Sequence, residues 1–395
     1  MRPLCAALLL VASLFGAFAH QSPAASAADA GTPVESARGL FAKGDYYGAI
    51  SILDKALALN PKNAEALVLR GDCKDNVGDI KGAIADYTKA IAIQPGYAYA
   101  YATRCDSKRE LGDYQSAVAD CNKAIALDPK DGYAFDRRGK LRDDLNDYRE
   151  AIADYDKAVT LDPTDKRFRL DRASSKLNIA DADGAVSDTS IVLTADPASA
   201  RAHALRGRAE YLKKDSASAL EDLNQAIALD DQYAYAYVSR CIIQRSLQHY
   251  DEALADCAKA LSVDPKYDDA LYNRGLVYRK MKRYDDAIAD LTGYLKLHPK
   301  DPDTLFYRGL SYADGGDYNA ALTDLNAYVR LAPNDPDGYY NRGRFRAKLG
   351  DSKGAIADLQ LAAKLYRANN DATSANDADD LIRTLQSGGQ ILSRA

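Results

Sequence analysis

One alanine recurs without a slip. Ala49, Ala83, Ala117, Ala151, Ala185, Ala219, Ala253, Ala287, Ala321 and Ala355 stand 34 residues apart. Prolines keep the same step at Pro61, Pro95, Pro129, Pro163, Pro197, Pro265, Pro299 and Pro333, and Asp231 and Arg367 occupy the two remaining places. A fixed period over most of a 395-residue chain calls for one small unit stacked on copies of itself, because no single copy can bury its own apolar face.

With each unit numbered 1–34, ten copies run from about Ala30 to Asn369. Positions 1–14 and 17–30 carry apolar residues at helical spacing. Glycine often sits at position 15 (Gly44, Gly78, Gly112, Gly316, Gly350), where a helix ends and turns. Asp-Pro or its equivalent at 31–32 stops the second helix. Small residues at 8 and 20 let the paired helices approach. The stretches Tyr97–Cys105 and Tyr233–Cys241 alternate tyrosine like a strand, yet both fall at the start of a unit, so the alternation marks the beginning of a helix.

The eighth unit, DDALYNRGLVYRKMKRYDDAIADLTGYLKLHPKD, has Gly275, Tyr278, Ala287, Leu291 and Pro299 at positions 8, 11, 20, 24 and 32. It resembles a tetratricopeptide repeat of the "RG" type found in bacteria. The resemblance implies an all-α fold, a right-handed α-solenoid of ten helix-turn-helix repeats. Its concave groove would be lined by positions 2, 5, 9, 12 and 34. The final stretch reads as a C-terminal capping helix with Ser374 or Asn376 as its cap. The expected division is a signal peptide over 1–19, a flexible lead-in over 20–33, repeats over 34–369, and a capping helix and tail over 370–395.

Position 7 is Arg in nine successive repeats, and position 23 is Asp in the same nine. On a helical wheel position 7 points away from the groove, towards the second helix. The pattern therefore predicts a structural ion-pair ladder, with Arg70–Asp86, Arg104–Asp120, Arg138–Asp154, Arg274–Asp290 and Arg308–Asp324 among its rungs, rather than an arginine surface for a polyanion. Cys105 and Cys121 occupy positions 8 and 24 of repeat 3, and Cys241 and Cys257 the same positions of repeat 7. Such positions face each other across an antiparallel helix pair, so two disulfides are possible there, with Cys73 left as a free thiol.

The groove positions of repeats 2–4 are acidic (Glu65, Asp72, Asp75, Asp106, Asp136, Asp143), relieved by Arg109 and Lys140. Those of repeats 6–10 are aromatic and basic, and Arg208, Tyr211, Tyr235, Arg245, Tyr272, Arg279, Phe306, Tyr340 and Arg344 are the candidate partner-binding residues. Tyr99 and Tyr235 are expected to be exposed in the groove, and Tyr101 and Tyr237 to be core. Asn273 and Asn341 match part of the carboxylate clamp of chaperone-binding relatives, but Val238, Asp303 and Phe306 stand where its lysines would be, so that ligand is rejected.

Residues 1–19 combine one basic residue, an apolar run and the small residues Ala17 and Ala19, the pattern of a secretory signal cleaved after Ala19 or after Ala27. An exported, periplasmic or secreted chain follows, with no stable membrane span after cleavage. A net charge of −5 gives no basic face for nucleic acid. The repeats hold only His203, His249 and His298, in different units, so no metal or nucleophile constellation forms and no cofactor is expected. The sequence thus reads as a non-enzymatic protein–protein interaction scaffold or adaptor of the bacterial envelope that takes a peptide or protein. The alternative is a receptor for a small ligand or carbohydrate in the tyrosine-rich groove.

Overall fold

A computed structural model describes residues 32–389. The expected signal peptide, both cleavage sites and all but the end of the lead-in lie outside the described residues, as does the tail from 390 onwards. Among the described residues there are 21 helices and no strand. The chain divides into two compact units, one ending at Asp215 and the other beginning at Ser216, within the sixth repeat.

The first unit contains α1 (Pro33–Ala42), α2 (Tyr46–Leu59), α3 (Ala64–Asn76), α4 (Ile80–Ile93), α5 (Ala98–Glu110), α6 (Tyr114–Leu127), α7 (Gly132–Asp144), α8 (Tyr148–Leu161), α9 (Lys166–Asn178), α10 (Ala182–Ala195) and α11 (Ala200–Leu212). The second contains α12 (Ser216–Leu229), α13 (Ala234–Ser246), α14 (Tyr250–Val263), α15 (Asp268–Lys280), α16 (Tyr284–Leu297), α17 (Pro302–Asp314), α18 (Tyr318–Leu331), α19 (Pro336–Lys348), α20 (Ser352–Ala368) and α21 (Ala372–Gln386). Within each unit the odd-numbered helix of a repeat packs on its even-numbered partner and on the next repeat, as in an α-solenoid.

Local chemistry sets the helix ends. Aspartate at position 16 caps many second helices: Asp45, Asp79, Asp113, Asp181, Asp317 and Asp351 each accept the N–H three residues on. Position 15 is left-handed in every repeat described, but glycine holds it only in repeats 1–3, 9 and 10. Asn146, Ala180, Lys214, Gln248 and Lys282 take the same positive φ elsewhere. The turn is imposed by the two packed helices, so it survives loss of the residue that favours it.

The alanine at position 20 is fully buried in all ten repeats. Positions 8 and 24 meet beside it. A Cβ on Gly71 would lie 2.4 Å from the Tyr87 ring, and one on Gly139 would lie 2.7 Å from the Tyr155 ring. Both rings are fully buried and held by their hydroxyls, so neither can swing away. Gly71→Ala is expected to cost about 1–3 kcal/mol by overpacking. A urea titration checks this, and an unchanged midpoint would show that the ring yields.

The last helix among the described residues is α21, whose Ala378 and Ile382 bury against Leu359 and Ala363 of α20. Its cap is Asp371, which accepts the Ser374 N–H, and not Ser374 or Asn376 themselves. The helix starts two residues before Ser374, which leaves that residue inside the first turn.

Candidate functional site

The Arg/Asp pattern forms bidentate pairs between the two helices of a repeat. Arg70 Nε and Nη2 donate to the two oxygens of Asp86 at 2.8 and 2.6 Å, and Arg104–Asp120, Arg138–Asp154, Arg274–Asp290 and Arg308–Asp324 repeat the geometry. Two further partners escaped the sequence reading. The free Nη1 of the arginine reaches position 25 of the preceding repeat, as in Arg70 to Asp54, Arg104 to Thr88, Arg138 to Asn122 and Arg342 to Asn326. Position 11 adds a second cation to the aspartate in repeats 2–5 and 10, through Lys74, Lys108, Arg142, Lys176 and Arg346. The signal was a polar residue 16 before eight of the nine arginines, Ala258 before Arg274 being the exception. The ladder therefore joins repeats as well as helices. Disulfides join Cys105 to Cys121 and Cys241 to Cys257, with Cα atoms 5.4 and 5.7 Å apart, where six of the other repeats place a glycine against a tyrosine or leucine. Cys73 is a buried free thiol, and burial beside Asp72 pushes it up to about 12, which makes it inert at neutral pH.

On the first-helix face of the first unit, the side chains bind one another. Arg137 lies 4.2 Å from the Tyr133 ring centre and donates to Asp106 at 2.8 Å. Arg109 links Asp106 at 2.9 Å to Asp144 at 2.8 Å. Burial disfavours the Asp106 anion, but Arg137, Arg109 and Lys140 outweigh it and bring the group down to about 2. Lys140 bridges Asp136 and Asp171 at 3.0 and 3.1 Å, and Arg201 also binds Asp171. Tyr99, expected to be exposed, is half-buried, with its ring stacked on Tyr133 and its hydroxyl on Asp72. Tyr101 is likewise only half-buried, whereas Tyr237 is buried.

Three groove carboxylates have hydroxyls as neighbours in place of cations. Asp143 accepts Tyr155 Oη at 2.8 Å and Ser175 Oγ at 2.7 Å. Tyr87 Oη lies 2.8 Å from both Asp72 and Asp75, and Ser107 Oγ is 2.7 Å from Asp75. The same trio of position-12 Asp, position-24 Tyr and next-repeat position-10 Ser thus occurs twice.

The candidate partner residues divide between the units. Arg208 and Tyr211 belong to the first, and both are half-buried. In the second, Tyr235, Arg245, Tyr272, Arg279, Phe306, Tyr340 and Arg344 all lie on first helices, again half-buried. Tyr235 packs against Tyr233 at 5.8 Å. The rings of Tyr272, Phe306 and Tyr340 are not free groove surface, because each packs on a tyrosine behind it: Tyr294 at 5.4 Å, Tyr328 at 4.9 Å and Tyr366 at 6.2 Å. Phe306 also joins the cluster of Leu325 and Phe345. Arg279 donates to Asp314 at 3.0 Å, and Arg344 lies 5.7 Å from the Tyr340 ring centre. The helical wheel explains the shift. Relative to position 2, positions 6 and 13 lie nearer the face's axis than 5 and 12 do, which is why Arg137 and Asp144 belong to the face and the position-5 rings turn inward.

Sequence models described as tetratricopeptide repeat match residues 40–85, 98–131, 133–165, 170–234, 243–302 and 307–372. No curated protein matches the chain. Among solved structures, a tetratricopeptide repeat protein from Parabacteroides merdae aligns at TM-score 0.51 and 22% identity, over 62% of this chain and 97% of that one. The APC/C hetero-tetramer Cut9–Hcn1 aligns at TM-score 0.60 and 19% identity, over 79% of this chain and 62% of that one. A monomeric mutant of IFIT1 with Gppp-AAAA gives 0.54 and 12%, over 82% and 90%. At these identities the likeness is one of fold.

Proposed function

The chain belongs to the tetratricopeptide repeat family, whose members are generally protein-interaction scaffolds, and on that premise we propose that it is a non-enzymatic adaptor of the bacterial envelope that holds a peptide or protein segment along its first helices. One observation carries the reading. The position-7 arginines are consumed by the ladder, whereas Arg279 on the opposite face is held by a half-exposed aspartate and Arg344 by an asparagine and the rings of Tyr340 and Phe345. Arginine placed on an aromatic surface is the composition of binding hot spots.

The carbohydrate alternative needs open aromatic platforms, and the rings of Tyr272, Phe306 and Tyr340 are covered from behind and edge-packed, which favours a protein partner. Export is supported by the apolar, small-residue N-terminal run and by two cysteine pairs suited to an oxidising compartment. Among the described residues no helix is long and apolar enough to cross a membrane.

The test is capture of envelope proteins by the chain and by the double variant Arg279→Glu/Arg344→Glu, with each captured protein then titrated in purified form. The variant is expected to weaken binding at least tenfold and leave the melting temperature unchanged. Equal affinity of the two proteins would remove the second unit's face from the reading.

A further inference from the structure

We propose that Asp72, Tyr87 and Asp75 hold one shared proton up to near-neutral pH, which makes the junction between repeats 2 and 3 a proton-sensitive element. Two contacts compete for one hydrogen. Tyr87 Oη stands 2.8 Å from Asp72 Oδ1 and 2.8 Å from Asp75 Oδ2. A phenol has one hydrogen to donate, and an ionised carboxylate only accepts. With both carboxylates ionised, one of these contacts is an oxygen facing an oxygen with nothing between them. The contact becomes a bond when one carboxyl keeps its proton and donates it to Tyr87 Oη, which then donates its own hydrogen to the other.

Neighbouring bonds choose the arrangement. Asp75 Oδ2 also receives Ser107 Oγ at 2.7 Å, whereas Asp72 Oδ2 has only the long Tyr99 hydroxyl contact at 3.3 Å. Two short hydroxyl bonds at Oδ2 favour the anion on Asp75 and the proton on Asp72, against the cost of the buried Asp75 Oδ1, which has no partner.

The cations near Asp72, Arg38 and Arg137, favour its anion only from a distance, because each is bound to other carboxylates. On the same helix, Lys74 is bound to Asp86. Arg38 of α1 is held by Glu65 and Glu35, and Asp54 of α2 by Arg70. Arg137 of α7 is held by Asp106. From α4 comes Tyr87, and from α5 come Tyr99, Ser107 and the acid Glu110. Burial pushes both Asp72 and Asp75 up to about 7, against the hydroxyls that favour their anions. Asp143 is an internal contrast: Tyr155 meets a single carboxylate there, so burial acts without the proton conflict.

The sign follows from the raised value. Stability conferred by the proton is complete below the unfolded carboxyl range, about 4, and is lost as pH rises to about 7. Across that window the opening of α3 and α4 should grow about tenfold per pH unit. If a partner occupies this face, the groove floor gains a negative charge as pH passes about 7. That consequence rests on the groove reading, but the protonation does not.

The experiment is carboxyl NMR on the full chain labelled at aspartate, assigned with Asp72→Asn and Asp75→Asn, together with amide exchange as a function of pH. One carboxyl of the pair is expected to titrate near neutrality in the wild type. Asp72→Asn, which keeps a donor for Tyr87 Oη, should remove that titration and the added pH dependence of exchange in α3 and α4. Two carboxyls both ionised well below pH 6 would overturn the proposal, as would an unchanged exchange slope in Asp72→Asn. If that variant fails to fold, the wild-type titration decides alone, and no partner is needed for either reading.

Discussion

Asp188→Ala is expected to destabilise the first unit by about 3–5 kcal/mol, the cost of leaving buried cations without their anion. Asp188 is 2% exposed and receives Arg172 through two nitrogens and Lys176 at 2.8 Å, with Arg169 3.7 Å away. Arg172 and Lys176 are themselves mostly covered, so water cannot take the place of the carboxylate. Because Arg172 also reaches Asp156 of the preceding repeat, the loss should spread to α8. Repeat arrays open in parts, so the measurement is amide exchange in α8, α9 and α10 together with a urea titration. A change under about 1 kcal/mol would mean that the ladder sets register and adds little stability.

Thiol titration of denatured chain lacking residues 1–19 should find one reactive cysteine, Cys73, before reduction and five after it. The two cross-links each close a separation of 16 residues, and each should contribute about 3 kcal/mol. Cys105→Ala/Cys121→Ala and Cys241→Ala/Cys257→Ala lose this constraint and also leave space beside Ala117 and Ala253, where the bridges fill the core. Each double variant is therefore expected to lose at least the loop-closure contribution. Five reactive thiols before reduction would overturn the pairing and weaken the case for an oxidising compartment.

Much of the architecture was legible because every repeat solves the same packing problem. Ala49 and its nine equivalents are all fully buried, and the Arg/Asp rungs follow from two positions that face each other whenever two helices turn back at position 16. The first-helix face was legible only as a composition. The wheel placed Tyr99 and Phe306 on the face, but whether a face residue is open depends on the ring or carboxylate supplied by another helix: Tyr133 and Asp72 for Tyr99, Tyr328 and Leu325 for Phe306.

The sequence by itself determined the period, the helix pairs and the ladder within each repeat, since all of these arise from contacts at short and constant separation along the chain. Tertiary structure alone decided which aspartates meet cations and which meet hydroxyls. Asp106 and Asp72 occupy the same position of successive repeats, yet one is gripped by Arg137 and Arg109 and the other by Tyr87 and Tyr99. Apart from Arg109, three residues along the same helix, that difference comes from side chains on other helices, including the first helix of the next repeat. It sets the charge state of a buried group through the energy of desolvating it, a quantity that no single repeat encodes.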